Sequence, residues 1–418
     1  MINLADDELI LTSPAVDSAL QQCAAVYRRE WLPRILAEDP PAVLAQMLQA
    51  GFSWVSEEER QAAVQRVAAL SPDRVEAEFS QEVSSRIDTD GARLAICFQR
   101  TLRLPDDGNT YPLPPGLGRF PLRSIGPYAS RLPASWTSRG GVLMPIHQAE
   151  ALWLRFHTGY GWALKVGTGL LNAVNARPWE PGLLRQPQSY VVLPEQPWLD
   201  GYCTGEGVIS QFVAARMGQG YTAAEQLLST AAGGLQLEAF PLNPEAWFAK
   251  RLQNRLPKSC ADLLARIVPE LAPRRDRFLY RLTGSSPTMG LGAGGKMKQK
   301  IYQDPWEPED WDLASPSRLW VHLCDAAAWF HITGALPPQE PFTAQEYAAS
   351  GLPWFDYYGE DLAALKASPF FARLKSVFAL AKEKGDPTIP QEETVLPGPV
   401  VPLGPQAPAG VIAEWDGQ

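Results

Sequence analysis

Apolar positions change period near residue 90, and that change organises the chain. Val75, Phe79, Val83 and Ile87 recur every four residues, the spacing of one helix face, and Ser71-Pro72 supplies a helix start before them. Ser56 with Glu59 forms a capping box ahead of 61–70, so residues 1–90 are predicted as a helical N-terminal region. After the turn signal Asp88-Thr89-Asp90-Gly91 the period falls to two. Leu94, Ile96, Phe98, Leu102 and Leu104 share one face, and Arg93, Gln99, Thr101 and Arg103 the other, which predicts a half-buried antiparallel strand.

The prolines and glycines of Tyr111-Pro-Leu-Pro-Pro-Gly-Leu-Gly118 predict an ordered crossing loop. Short strands are predicted at 152–156, 162–166, 190–193, 199–203, 208–214 and 235–240, with Thr204-Gly-Glu-Gly207 as a hairpin turn. Further strands are expected at 298–302 and 318–323. Helices are expected at 223–228, twice within 246–284, at 326–332, at 343–349 behind a Thr343/Glu346 capping box, and at 362–384 with a break near Pro369. No segment repeats at solenoid or propeller spacing.

The predicted fold class is α+β: an antiparallel β-rich sandwich or open-barrel body with a helical N-terminal region, a helical insertion and a Pro-rich tail. The predicted division is a helical region at 1–90, a first body part at 91–245, a basic insertion at 246–284, a second body part with C-terminal helices at 285–384, and an acidic Pro-rich tail at 385–418. The tail, with seven prolines and no Lys or Arg, reads as disordered or as an extended arm packed on a neighbour.

Composition narrows the function classes. The 418 residues are 45% apolar and 20% charged, ordinary globular values, and no apolar run is long enough for a transmembrane helix. Asp6, Asp7 and Glu8 stand where a signal peptide needs basic residues, so a cytoplasmic location is expected. A net charge of −9 disfavours nucleic-acid binding. Residues 246–284 are nonetheless locally basic, with nine Lys or Arg against three acids. That segment suits either binding of an acidic partner or RNA, or a solvated helix docked on its own acidic protein; no aromatic platform interleaves with the arginines, which favours the second. The five cysteines show no CxxC spacing, so neither a disulfide framework nor a zinc site is predicted, and no cofactor is implied.

Several residues invite chemistry. Pro197-Trp198, Pro305-Trp306 and Pro353-Trp354 supply rigid rings that suit either a contact surface for a partner or a wedge holding a loop to the core. Gly290-Leu-Gly-Ala-Gly-Gly-Lys296 fits phosphate-loop spacings, but Met297 replaces the metal-binding hydroxyl and no room remains for a helix. A flexible or close-packed backbone loop is the favoured alternative, with an anion nest at Gly294, Gly295 and Lys296 as a third reading. His322 and Cys324 alternate on a predicted strand with Trp320, and Asp325 follows. Such a pair can form an activated nucleophile, supply two metal ligands with His147, His157 or His331, or simply fill a core strand. Glu150, Asp200 and Glu238 are candidates for an acid/base pair.

Seven strings in order, namely Tyr111–Gly118, Gln196-Pro-Trp-Leu-Asp-Gly201, Gln211-Phe-Val-Ala, Gly220-Tyr-Thr, Gly233-Gly-Leu-Gln-Leu-Glu238, Met289–Gly295 and Gly351-Leu-Pro-Trp-Phe355, resemble an uncharacterised family of bacterial and fungal proteins. Some fungal members carry a ubiquitin-like domain just before the glycine-rich string; here 246–284, which lacks that pattern, occupies the place. The resemblance implies a composite β-rich body formed by 100–245 and 285–360, and implies no reaction.

Three functional expectations follow. The first is a non-catalytic interaction or assembly protein that uses Trp198, Trp306, Trp354 and the acidic tail toward a protein partner or a second copy. The second is a hydrolase or transferase with Cys324 as nucleophile, His322 as base and Asp200 or Asp325 as orienting acid. The third is an anion or nucleotide sensor at Gly294, Gly295 and Lys296.

Overall fold

The computed structural model describes residues 1–30, 91–253, 289–357, 363–389 and 394–403. The helices expected at 61–70 and 72–87, most of the basic insertion, Cys260 and the end of the acidic tail lie outside the described residues.

The chain opens with a hairpin rather than a helix. β1 (Ile2–Ala5) and β2 (Glu8–Thr12) pair antiparallel through Ala5 and Glu8. Asp6 and Asp7 both take positive φ, 48° and 58°, the backbone of a two-residue turn matched to strand twist. Helix α1 (Pro14–Glu30) follows.

Strands β3 (Arg93–Thr101), β4 (Thr110–Tyr111), β5 (Gly116–Arg119), β6 (Arg123–Ser124), β7 (Val142–Ile146), β8 (Ala151–Thr158), β9 (Trp162–Thr168) and β10 (Leu171–Asn172) come next, with the short helix α2 (Ala134–Thr137) between β6 and β7. They are followed by β11 (Val191–Leu193), β12 (Trp198–Leu199), β13 (Gly201–Gly205), β14 (Val208–Arg216), helix α3 (Ala223–Leu228), β15 (Leu235–Pro241) and helix α4 (Pro244–Gln253). Beyond the insertion lie β16 (Met289–Lys298), β17 (Ser317–Asp325), helices α5 (Ala326–Thr333) and α6 (Ala344–Ala349), β18 (Trp354–Tyr357), helix α7 (Val377–Lys384) and β19 (Val400–Leu403).

Among the described residues, ten strands form one sheet along the path β1-β2-β3-β8-β14-β16-β4, with β5 beside β3, β12 beside β8 and β13 beside β14, and seven form a second along β10-β9-β15-β17-β7-β6, with β11 beside β9. Pairing is antiparallel except for β16 with β4, β17 with β7, and β18 with β19. Inward residues of both sheets merge into one apolar core, including Phe98, Leu154 and Phe212 from the first and Leu164, Leu237 and Leu323 from the second. The arrangement is α+β and sandwich-like, not a closed barrel.

Each sheet is also covered on its outer face, which explains why several strands lack the polar side their alternation predicts. Val377, Phe378 and Ala381 of α7 cover Ala151, Val213 and Ala215. Trp136 of α2 and Trp329 of α5 cover Leu143 and Cys324. Gln99 and Thr101 are buried beside β5, with Thr101 Oγ1 donating to the Pro115 carbonyl at 2.8 Å, and Arg103, just past β3, is buried with its guanidinium 4.5 Å from the centre of the Phe378 ring. The strand expected at 298–302 is displaced: β16 ends at Lys298. Among the described residues of the stretch 362–384, namely 363–384, only α7 is α-helical, preceded by a 3₁₀ turn at Pro369–Arg373.

The described part of the tail returns to its own body. β19 pairs with β18, the Trp354 N–H donates to the Pro399 carbonyl at 2.8 Å, and Val395 is buried in the main core.

Candidate functional site

His322 and Cys324 do share one face of β17, as alternation requires, but that face is sealed. His322 stacks on Trp136 with ring centres 4.9 Å apart, and its Nε2 lies 2.9 Å from the Gly140 carbonyl. Burial holds its pKa below the usual histidine value, with Arg139 adding to the effect and the carbonyl opposing it. The Cys324 thiol is fully buried, and burial followed by Asp325 pushes its pKa well up, the reverse of an activated thiol. Asp325 caps α5 by accepting from the Ala327 N–H at 3.0 Å.

Asp200 belongs to the other sheet and bonds Gln299, so the structure does not assemble Cys324, His322 and Asp200 as a triad. Nor do the three carboxylates converge. Glu150 binds Arg100 Nε at 2.6 Å, and Glu238 lies across the ladder from Lys165 and Arg318, at 3.4 Å and 2.6 Å. Among the described residues, no group of three or more His, Cys, Asp or Glu is placed to hold a metal ion.

The tryptophans act as wedges. Trp354 is wholly buried between Tyr111 and Tyr347, and Trp306 is buried edge-on to Trp311, so neither forms part of a contact surface. Trp198 is half-buried beside Trp153.

The glycine run is strand β16, not a loop. No glycine from Gly290 to Gly295 has positive φ, so the alternating backbone twist of an anion nest is absent there. Met289, Leu291 and Ala293 enter the core. The glycines are demanded by close backbone approach: a Cβ on Gly292 would lie 2.6 Å from the Tyr221 carbonyl oxygen, and one on Gly295 would lie 2.4 Å from that of Pro105. Lys296 is exposed.

Two hollows flank the segment that follows β16. The smaller, about 280 Å³, includes Trp198, Gln196, Lys298, Gln299, Lys300 and Tyr302 in its lining. Its amides are committed inward: Gln196 donates to Trp198 and Lys300 carbonyls and accepts from the Tyr302 N–H. Lys298 pairs with Asp356 at 3.3 Å.

The larger hollow, about 600 Å³, is a groove between the turn 172–178, the hairpin 184–189 and the segment 365–370. Local side-chain bonds build each wall. Asn172 Oδ1 accepts from the N–H groups of Val174 and Asn175, which closes the first turn, and Asn175 Oδ1 accepts from the Arg177 N–H. The Gln186-Pro187 peptide is cis, and Asn175 Nδ2 donates to the Pro187 carbonyl, tying the hairpin to the turn. Ser368 Oγ donates to the Asn175 carbonyl at 2.6 Å, which fixes the third wall.

Those walls bring Arg177, Arg185 and Lys366 to one groove, with Asn175, Gln186 and Gln303 beside them. The one lining carboxylate, Asp304, is turned inward: it accepts from the Tyr190 hydroxyl at 2.5 Å, Trp311 Nε1 at 3.0 Å and the Trp306 N–H at 2.9 Å. Arg185 also meets Glu307 at 3.2 Å, but that carboxylate is 76% exposed and the pair is weak. Planar guanidinium forks with an ammonium group suit an oxyanion, which takes several charge-assisted hydrogen bonds at once.

Sequence reasoning passed over this groove because Arg177 and Arg185 sit singly in two neighbouring turns without a motif, and Lys366 lies far along the chain. The only local signals are the turn residues Asn172, Asn175 and Pro187. No known family model matches the chain, and no curated protein or solved structure matches it.

Proposed function

We propose that this chain is a binding protein, without a bond-making step of its own, that captures a small oxyanion in the groove of Arg177, Arg185 and Lys366. The convergence of those three cations on a chain of net charge −9, with Asp304 already occupied by three donors, carries the reading. Neither His322 nor Cys324 lines the groove. This reading attaches anion binding to Arg177, Arg185 and Lys366 rather than to Gly294, Gly295 and Lys296.

Isothermal titration with inorganic phosphate and with pyrophosphate at low salt tests it. Binding is expected to weaken with rising salt, and to fall about tenfold or more in Arg177→Ala and in Lys366→Ala, the loss of one charged hydrogen-bond partner. Lys296→Ala should bind as the unaltered chain does. Absence of heat with both anions, or loss of binding in Lys296→Ala with retention in the groove variants, would overturn the proposal.

A further inference from the structure

A third hollow, about 150 Å³, adjoins the oxyanion groove, and Arg177 and Phe370 line both. Its other walls are mostly apolar: Ala176, Pro178, Leu227 and Leu228, with Arg373 adding another cation. The position of Phe370 follows from its neighbours. Ser368 anchors the segment to Asn175, and Phe371 turns into the core against Tyr202, with ring centres 5.6 Å apart. In a 3₁₀ turn the adjacent residue points about a third of a turn away. Phe370 is thus left 46% exposed on the wall between the two hollows. Leu227 and Leu228, at the end of α3, are half-buried and pack against the main core.

Resting on the oxyanion reading, we propose that the ligand is an organic phosphate or phosphonate with an apolar arm the size of one aromatic ring. The anionic head meets Arg177, Arg185 and Lys366, and the arm lies over Phe370 toward Leu227 and Leu228. A bare inorganic anion would leave the Phe370 ring and the leucine wall in water. A hollow of about 150 Å³ has room for one aromatic ring. Charge draws the ligand in, whereas the apolar wall discriminates among anions, because burying a ring adds affinity that a bare head lacks.

Phenylphosphonate and methylphosphonate share a head and differ only in the arm, so their titration against the full chain separates the two contributions. Phenylphosphonate is expected to bind about tenfold tighter. That advantage should disappear in Phe370→Ala and in Leu227→Ala, with methylphosphonate binding in both within about twofold of the unaltered chain. The Phe370 substitution is at an exposed ring and leaves the fold intact, which keeps the test open if Leu227→Ala fails to fold. Equal binding of the two compounds, or an advantage that survives both substitutions, overturns the arm and leaves the oxyanion groove standing. Failure of both compounds to bind overturns the groove and the arm together.

Discussion

Asp200 and Gln299 hold each other by two hydrogen bonds: the Asp200 N–H donates to Gln299 Oε1 at 3.1 Å, and Gln299 Nε2 donates to Asp200 Oδ2 at 2.6 Å. The same amide lines the hollow beside Trp198. Behind it, burial pushes the Asp200 carboxyl from the ordinary 3.8 up to about 7, against the opposing pull of Gln299.

Between those two values the folded chain holds the extra proton. The contribution of Asp200 to stability is therefore fullest below about pH 4, declines as the pH rises toward about 7, and levels off above it. Asp200→Asn removes the charge and keeps an acceptor for Gln299. Urea unfolding should show the variant equal to the unaltered chain near about pH 4 and more stable by about 2–4 kcal/mol near about pH 8, with a flatter profile between. A parallel pair of profiles would contradict the assignment.

Cys324 should be the slowest thiol among the described cysteines to react. Its sulfur is buried under Trp136 and Trp329 with a raised pKa, whereas Cys23 is only half-buried. Peptide mapping after brief iodoacetamide treatment near neutral pH is expected to find Cys23 modified well before Cys324. Denaturant should bring Cys324 to the rate of an unfolded-chain thiol. Fast native alkylation of Cys324 would reopen the nucleophile.

Gly295→Ala places a methyl group against two backbone oxygens, at 2.4 Å and 2.7 Å, neither of which belongs to a flexible side chain. A destabilisation of about 2–4 kcal/mol is expected in chemical denaturation, somewhat above ordinary core overpacking because backbone must move. Gly159→Ala is the matched control, since nothing lies within 4 Å of its Cβ position and its φ is not positive; it should stay within about 0.5 kcal/mol.

Much of the sandwich was legible because its strands are short apolar runs bounded by turn residues. The runs at 162–166, 208–214 and 235–240 each lie within an observed strand, and Thr204–Gly207 joins β13 to β14. The opening hairpin was missed because Asp6-Asp7 lacks the glycine that usually marks such a turn. β16 was misread for the opposite reason: glycine signals a loop in isolation, whereas here Met289, Leu291 and Ala293 keep strict alternation through it. The depth of Trp306 and Trp354 was not legible at all, since a proline beside a tryptophan fixes a loop's shape but not which side faces the core. The groove cations were equally hidden. Arg177, Arg185 and Lys366 carry no periodicity, and two bonds at Asn175, one to Pro187 and one from Ser368, place their segments together.

The position of β16 and β17 bears on the order in which this chain assembles during synthesis. β17 runs between β15 and β7, so the β7–β6 pair has no strand link to the rest of its sheet until residues near 320 have left the ribosome. β14 likewise keeps an open edge until β16 arrives. Three unpaired edges, on β14 in one layer and on β15 and β7 in the other, are presented while more than half the chain already exists, and such edges recruit other strands. A nascent chain stalled before Met289 is thus a template for aggregation, and its rescue depends on the late strands arriving rather than on the early ones packing better.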